Sequence, residues 1–224
     1  MQLSHRITHI TGGGSDGWGL FNRARAMITD GVRVTDLTIG EHDIRTDPSI
    51  LAAMDRAATG GHTGYASIPG TSALRDAVAR RVQDRSGVST TRANVLITPG
   101  GQAGLFAAHH AVCDDGDTAL FIDPYYATYP GTIRSVGALP RAIAARPQDA
   151  FQPRATAIDA AADGAVSLLI NSPNNPTGVV YSHATLAGIA RVCRDRDLWL
   201  ISDEVYETRR CGKVPMSAPA PCPA

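Results

Sequence analysis

Short apolar runs that stop abruptly at polar residues recur along this chain, and stretches with helical spacing separate them. Val166 to Ile170 runs into Asn171-Ser172-Pro173-Asn174-Asn175-Pro176-Thr177-Gly178, and Leu198 to Ile201 runs into Ser202-Asp203-Glu204-Val205-Tyr206-Glu207. Near-continuous apolar runs of four or five residues predict strands buried on both faces. Further strands are predicted at Thr118 to Ile122, Leu139 to Ile143 and Asn94 to Thr98, and Leu37 to Asp43 reads as a strand entering a turn. Helices are predicted over Pro48 to Ala58, with Asp47 as cap and Gly60-Gly61 as stop, and over Ser72 to Ser86. Others follow Pro99-Gly100-Gly101-Gln102 as far as Val112, near Ala155 to Ala162, and over His183 to Arg194. Strands alternating with helices imply an α/β fold: a mainly parallel sheet with helices on both faces. Ligands of such sheets sit outside the carboxyl ends of the strands, so Asp203 and the turn after Ile170 converge on one expected site.

Composition narrows the partners. Of the 224 residues 43% are hydrophobic and 19% charged, which excludes a disordered or fibrous chain. Basic and acidic residues balance at 21 each, so no electrostatic footprint for nucleic acid or an anionic membrane is expected, and the partner should be a small molecule. No apolar run approaches bilayer-spanning length and the first six residues lack the core of a signal peptide, which predicts a cytoplasmic address. Cys113, Cys193, Cys211 and Cys222 form no CxxC and pair with no histidine at ligand spacing, so plain thiols and no metal are expected. His109 and His110 are adjacent on a predicted helix and cannot both ligate one metal. Lys213 is the one lysine, and therefore the one side chain that could form an imine.

A competing pattern stands near the start. Gly12-x-Gly14-x-x-Gly17 follows Ile7 to Ile10 and precedes a helical pattern from Leu20 to Ile28, while Val32 to Leu37 would carry Asp36 on a second strand. This imitates a dinucleotide-binding turn. The first run is short and interrupted by Thr8 and His9, and a glycine-rich entry loop explains the same residues without a ligand.

Six segments, in order, give a resemblance: Leu37 to Asp43 (LTIGEHD), Tyr65 to Arg75 (YASIPGTSALR), Thr98 to Phe106 (TPGGQAGLF), Pro124 to Pro130 (PYYATYP), Asn171 to Gly178 (NSPNNPTG) and Ser202 to Glu207 (SDEVYE). Over roughly residues 20 to 207 the chain resembles the class I aminotransferases, pyridoxal-phosphate enzymes of the aspartate aminotransferase type. The last two motifs are the specific ones. The resemblance implies pyridoxal 5'-phosphate as cofactor, an amino acid and a 2-oxo acid as substrates, and a homodimer. It further implies an N-terminal arm with part of a small domain over 1–45, a cofactor-binding large domain over 46–207, and a tail of little structure over 208–224.

Carried over residue by residue, Gly101 and Gln102 would hold the phosphate, Tyr126 would stack on the pyridine ring, and Asp203 would pair with the ring nitrogen. Asn175 and Tyr206 would reach the phenolic oxygen, Tyr65 the phosphate of the other subunit, and Gly40 the substrate carboxylate. Read without the family, Asp203 is a cap after a strand and the tyrosines pack their rings; Tyr125 and Tyr129 are expected to pack in either case. His42 stands where the family usually has proline, and Tyr126 where many relatives have tryptophan. The sequence stops before the family's catalytic lysine, and Lys213 sits in an unlike Cys-Gly-Lys-Val-Pro setting, so it is not expected to replace it. The chain is therefore expected to be a truncated form with weak or no transamination. Other reactions of the same fold (a β-lyase, a cyclopropane-forming synthase) and a non-catalytic module binding pyridoxal phosphate or a nucleotide are the alternatives.

Overall fold

The four apolar runs in the second half of the chain become the strands of one sheet. In the computed structural model, which describes residues 1–14, 18–40 and 44–208, β1 spans Thr118–Asp123, β2 Leu139–Ala144, β3 Ala165–Asn171 and β4 Trp199–Asp203. All pairings are parallel and the order is β2-β1-β3-β4. The interior strands β1 and β3 are almost wholly buried, as their near-continuous apolar sequences require. The edge strand β2 carries Leu139, Arg141 and Ala142 on exposed positions, and β4 opens on exposed Trp199.

The helices are α1 (His5–Thr8), α2 (Trp18–Thr29), α3 (Pro48–Thr59), α4 (Ser72–Ser86), α5 (Gly101–Val112), α6 (Tyr129–Ser135), α7 (Ala155–Ala161) and α8 (His183–Asp195). Successive strand residues face opposite sides, and both sides are covered. Leu120, Ile122, Leu168 and Ile170 meet Ile158 of α7 and Ile189, Val192 and Cys193 of α8. Ala119, Phe121 and Leu169 meet Tyr129 and Ile133 of α6, with Leu105 and Val112 of α5 at the margin. Fully burying a Leu or Ile stabilises by roughly 1.5–3 kcal/mol, so Leu120, Ile158, Leu168 and Ile189, all at 0% exposure, are the centre of the core.

Caps set the helix ends. Asp47 Oδ1 accepts from the Ser49 amide at 2.8 Å to start α3, and Ser182 Oγ accepts from the Thr185 amide at 3.1 Å to start α8. Gly87, at φ +72°, ends α4 in the left-handed region that glycine tolerates.

The expected strands at 94–98, 32–37 and 7–10 do not form, and the one at 37–43 is absent as far as residue 40. Residues 95–98 are extended but outside the sheet, after a single 3-10 turn over Arg92–Asn94. Their backbone groups are taken elsewhere: Arg75 Nε donates to the Val95 carbonyl at 2.9 Å, and the Ile97 amide donates to the Pro69 carbonyl at 3.0 Å. Residues 32–40 include no strand, Leu37 is exposed without a pairing partner, and 41–43 lie outside the described residues. Ile7 sits in α1 and Ile10 in the turn after it, so Gly12 and Gly14 do not follow a strand. The dinucleotide pattern therefore lacks the context it requires; Gly17 lies outside the described residues.

His109 of α5 is wholly buried, and neither ring nitrogen has a hydrogen-bond partner. Burial pushes its pKa down to about 4, against about 6.5 for an unfolded histidine. The unfolded chain therefore binds a proton that the folded chain refuses, and stability falls as pH drops from about 6.5 towards 4. At 1.36 kcal/mol per unit, the loss approaches roughly 3 kcal/mol. Thermal unfolding from pH 7.5 to 4.5 is expected to show a steeper fall in midpoint for the native sequence than for His109→Leu; parallel curves would contradict the assignment.

Candidate active site

The register between β3 and β4 places Asn171 opposite Asp203, each the last residue of its strand. Asn171, only 2% exposed, uses both ends of its amide there. Its Nδ2 donates to the Asp203 carbonyl at 2.9 Å, and its Oδ1 accepts from the Asn175 amide at 2.7 Å. One side chain thus holds the end of β4 and the turn after β3 together. Asn175 in turn donates from Nδ2 to the Tyr206 hydroxyl at 3.0 Å. Asn174 braces the same turn: its Oδ1 accepts from the Thr177 amide and hydroxyl, and its Nδ2 donates to the Pro124 carbonyl at 3.2 Å.

Asp203 has both carboxylate oxygens engaged from within the chain. Oδ2 accepts from the Tyr129 hydroxyl at 2.8 Å, and Oδ1 from the Val205 amide at 3.1 Å. It therefore caps a turn, as a reading without the family expects, and also faces a phenol. Burial first, and the Asp203 charge second, push the Tyr129 phenol far above its ordinary range. Tyr129 stays a proton donor to the carboxylate across any working pH. This corrects the expectation that Tyr129 merely packs; a buried tyrosine hydroxyl needs a partner, but the sequence spacing of 74 residues hides which one.

The ring of Tyr126, 38% exposed, stands edge-on to that of Tyr129 at 5.9 Å between centroids. Tyr125 packs edge-on against Phe121 at 4.9 Å. Gly100, at φ +89° where only glycine is unstrained, turns the chain into α5, and no side chain caps that helix. Its first amides are thus orphan donors at the positive end of the helix dipole. Gln102 lies in this first turn, but its side chain is spent on α6 and the residue before it: Nε2 donates to Thr132 Oγ1, and Oε1 accepts from Thr128 Oγ1 at 2.7 Å. A cleft of about 670 Å³ beside α6 is lined by Gln102, Thr132, Arg134, Ile10 and Trp18 among others, and by none of Asp203, Asn175 or Tyr206. It lies between the N-terminal segment and α6 and reaches Phe121 and Tyr125 at the end of β1, not the ends of β3 and β4.

Tyr65 is fully exposed and meets none of these groups. Gly40 has no atom within 4 Å of where a Cβ would stand. Lys213 lies outside the described residues. No cluster of His, Cys, Asp or Glu among the described residues could hold a metal ion. Glu207, just past Tyr206, is gripped by Arg81 at 2.7 Å and by Arg85, both on α4.

These features define an α/β protein with an acid, an amide and a phenol gathered at adjacent strand ends, beside an uncapped helix start. The model of the class I and II aminotransferases matches residues 32–217, and the chain belongs to that family. It is 36% identical over 186 residues to a probable aspartate/prephenate aminotransferase of Thermus aquaticus, covering 83% of this chain and 49% of that protein. Against the arginine–pyruvate transaminase of Pseudomonas aeruginosa it is 31% identical, covering 92% and 53%. The structure of the Thermus thermophilus aspartate aminotransferase with maleate superposes with a TM-score of 0.87 at 33% identity, covering 92% of this chain and 54% of that one. The chain spans about half the length of the relatives it matches.

Replacing Asn171 by Ala leaves the Asn175 amide without its partner and the Asp203 carbonyl with the Ser172 amide alone, at 3.2 Å. An unsatisfied part-buried donor costs about 1–3 kcal/mol, so urea unfolding of Asn171→Ala is expected to show a loss of about 1 kcal/mol or more. An unchanged midpoint would mean the two turns are held by something else.

Proposed function

We propose that this chain carries the pyridoxal-phosphate-holding part of an aminotransferase, which moves an amino group between an amino acid and a 2-oxo acid. The observation that carries the reading is the β3–β4 register, which brings Asn175, Asp203 and Tyr206 together through Asn171. The donor set fits a planar pyridine bearing a phenolic oxygen and a phosphate. When bound, pyridoxal phosphate supplies an electron sink that deepens when its ring nitrogen is protonated.

Asp203, its charge fixed in place from behind, is suited to hold a proton on that nitrogen by direct pairing. Asn175 and Tyr206 present donors to the phenolic oxygen, and Tyr126 offers an exposed aromatic face. The amides of Gly101 and Gln102 suit the phosphate; the side chain of Gln102, with both ends engaged, contributes by tying α5 to α6. No lysine occurs among the described residues, so no described side chain is assigned covalent attachment of the cofactor.

Residues 46–207 form the cofactor-binding domain in this reading, and 1–45 an arm with part of a small domain. Two copies pair as a homodimer, with Tyr65 reaching the phosphate of the partner subunit's site and Gly40 approaching the substrate carboxylate. The exposed apolar side chains of Ile50, Leu51 and Met54 on α3 and of Ile68 in the following loop support such a covering surface. No helix among the described residues is long and apolar enough to cross a membrane, and a cytoplasmic address belongs to the same reading.

Titrating the chain with pyridoxal 5'-phosphate and following the cofactor's absorbance is expected to give saturable binding that Asp203→Ala weakens by about tenfold or more, since hydrogen bonds to charged groups contribute about 1.5–3 kcal/mol. Borohydride reduction of the loaded chain followed by peptide mapping is expected to leave no stoichiometric adduct on Lys213. Absence of saturable binding would remove the reading, and a full adduct on Lys213 would reassign the covalent role.

A further inference from the structure

We propose that Glu207 is a positioning residue for Tyr206: Arg81 and Arg85 of α4 hold its carboxylate, and that clasp sets where the turn after β4 carries the Tyr206 hydroxyl. The inference rests on the pyridoxal-phosphate reading above and adds to it three charged residues, two of them on a helix that supplies no group to the site.

The turn after β4 needs an anchor at its far end. Its near end is fixed at Asp203, whose carbonyl accepts from Asn171 Nδ2 and the Ser172 amide and whose Oδ1 accepts from the Val205 amide at 3.1 Å. Further on, the Glu207 amide donates to the Glu204 carbonyl at 2.9 Å, which closes the turn on itself without tying it to another element. The Tyr206 hydroxyl accepts from Asn175 Nδ2 at 3.0 Å, and the direction in which it points its proton follows the position of its backbone.

Glu207 supplies the tie. Arg81 reaches one carboxylate oxygen at 2.7 Å and Arg85 reaches the other, so both oxygens are engaged and the plane of the carboxylate is set. The two arginines stand one helical turn apart, where like charges repel, and an acid between them offsets that repulsion. The Glu207 side chain is 24% exposed, so water and salt screen the clasp less than an open surface pair. Apolar packing does little to place α4: Ala79 is its one buried residue, and Leu74 and Val82 are exposed.

Opening the clasp by Glu207→Gln has two consequences of opposite sign. Taking a negative charge away from an anionic ligand, by Coulomb's law alone, tightens binding and favours the ionised phenolic oxygen. Displacing the Tyr206 hydroxyl weakens binding and removes a donor that favours the ionised oxygen. The sign of the change therefore tells positioning from charge.

Pyridoxal 5'-phosphate is titrated into the 224-residue chain, Glu207→Gln, Tyr206→Phe, the double variant and Asp84→Asn, with the cofactor's absorbance followed against pH. Asp84 is an exposed acid of the same helix outside the clasp. Glu207→Gln is expected to bind about threefold or more weaker, a part of the loss of one charge-assisted bond, with the phenolic oxygen ionising at higher pH than in the native complex. The double variant is expected to match Tyr206→Phe, because both changes remove the same interaction. Asp84→Asn, with the same change in charge, keeps the native affinity within twofold. Unchanged or tighter binding by Glu207→Gln, additive losses in the double variant, or an equal loss in Asp84→Asn overturns the proposal while the cofactor reading stands. If the native chain binds no cofactor, both fall together.

A measurement without cofactor separates them further. The 19F resonance of 3-fluorotyrosine placed at position 206 is expected to move on Glu207→Gln and to stay in place on Asp84→Asn. Should Glu207→Gln not fold, Arg85→Gln opens the same clasp from α4 and must move that resonance. A resonance that does not move overturns the proposal.

Discussion

The parallel register of β3 against β4 is the constraint on which the site depends. A shift of one residue would turn Asn171 and Asp203 to opposite faces of the sheet, and the Asn171 side chain could no longer join the β4 end to the Asn175 turn. The register is set by burial: Leu168, Leu169 and Ile170 have no exposed alternative, and each is matched to Leu200, Ile201 or Ser202 on β4. The core thus selects the geometry of the polar groups at its edge. The two strands serve the site through where they stop as much as through what they bury.

Packing is unevenly distributed along the chain. Before Cys113 the buried apolar side chains among the described residues are Ala24 and Ala79, whereas the core clusters draw on residues from 105 to 201. The first half is attached largely by polar contacts. Arg81 and Arg85 grip Glu207, and Arg134 donates to the Ile10 carbonyl at 3.3 Å, while Arg75 braces the first half internally by holding the carbonyls of Val95 and Arg92. Surface ion pairs contribute at most about 1 kcal/mol each, so these contacts fix direction more than they add stability. Gly70 allows one close approach between the Tyr65 loop and the segment before α5: at φ +104°, a Cβ there would stand 2.5 Å from Ile97 Cγ1. The polar frame orients α4 and its preceding loop, while Leu74 and Val82 of the helix and Tyr65 and Ile68 of the loop remain exposed.

What the sequence revealed, and what it concealed, follows from the range of the interactions. β1 to β4, α3, α4, α5, α7 and α8 were legible because each is bounded by local signals: an unbroken apolar run, a cap such as Asp47 or Ser182, a stop such as Gly87. The strand expected at 94–98 had the right residues but not the right neighbours. A ladder needs a partner, and Arg75 and Pro69 took the backbone groups instead. Asn175, Asp203 and Tyr206 were legible as a motif, yet Asn171, which joins them, passed as the first polar residue after a strand. No local pattern marks an asparagine that uses both ends of its amide across 32 residues and four residues at once.

Tyr129 and Gln102 show the same limit from opposite sides. Both lie in motifs where residue type alone suggests a role: packing for a tyrosine among tyrosines, ligand binding for a glutamine at a helix start. The partner decides otherwise in each case. Tyr129 has a hydroxyl that burial forces to find an acceptor, and the acceptor is the carboxylate at the end of β4. Gln102 has two polar ends free to meet a ligand in principle, and Thr128 and Thr132 occupy both. A polar side chain already satisfied within the chain organises a site, and the groups left to meet a ligand are those whose neighbours leave capacity unspent. At this site those are the first amides of α5, the exposed face of Tyr126, and the lone pairs of Asp203 that Tyr129 and Val205 do not use.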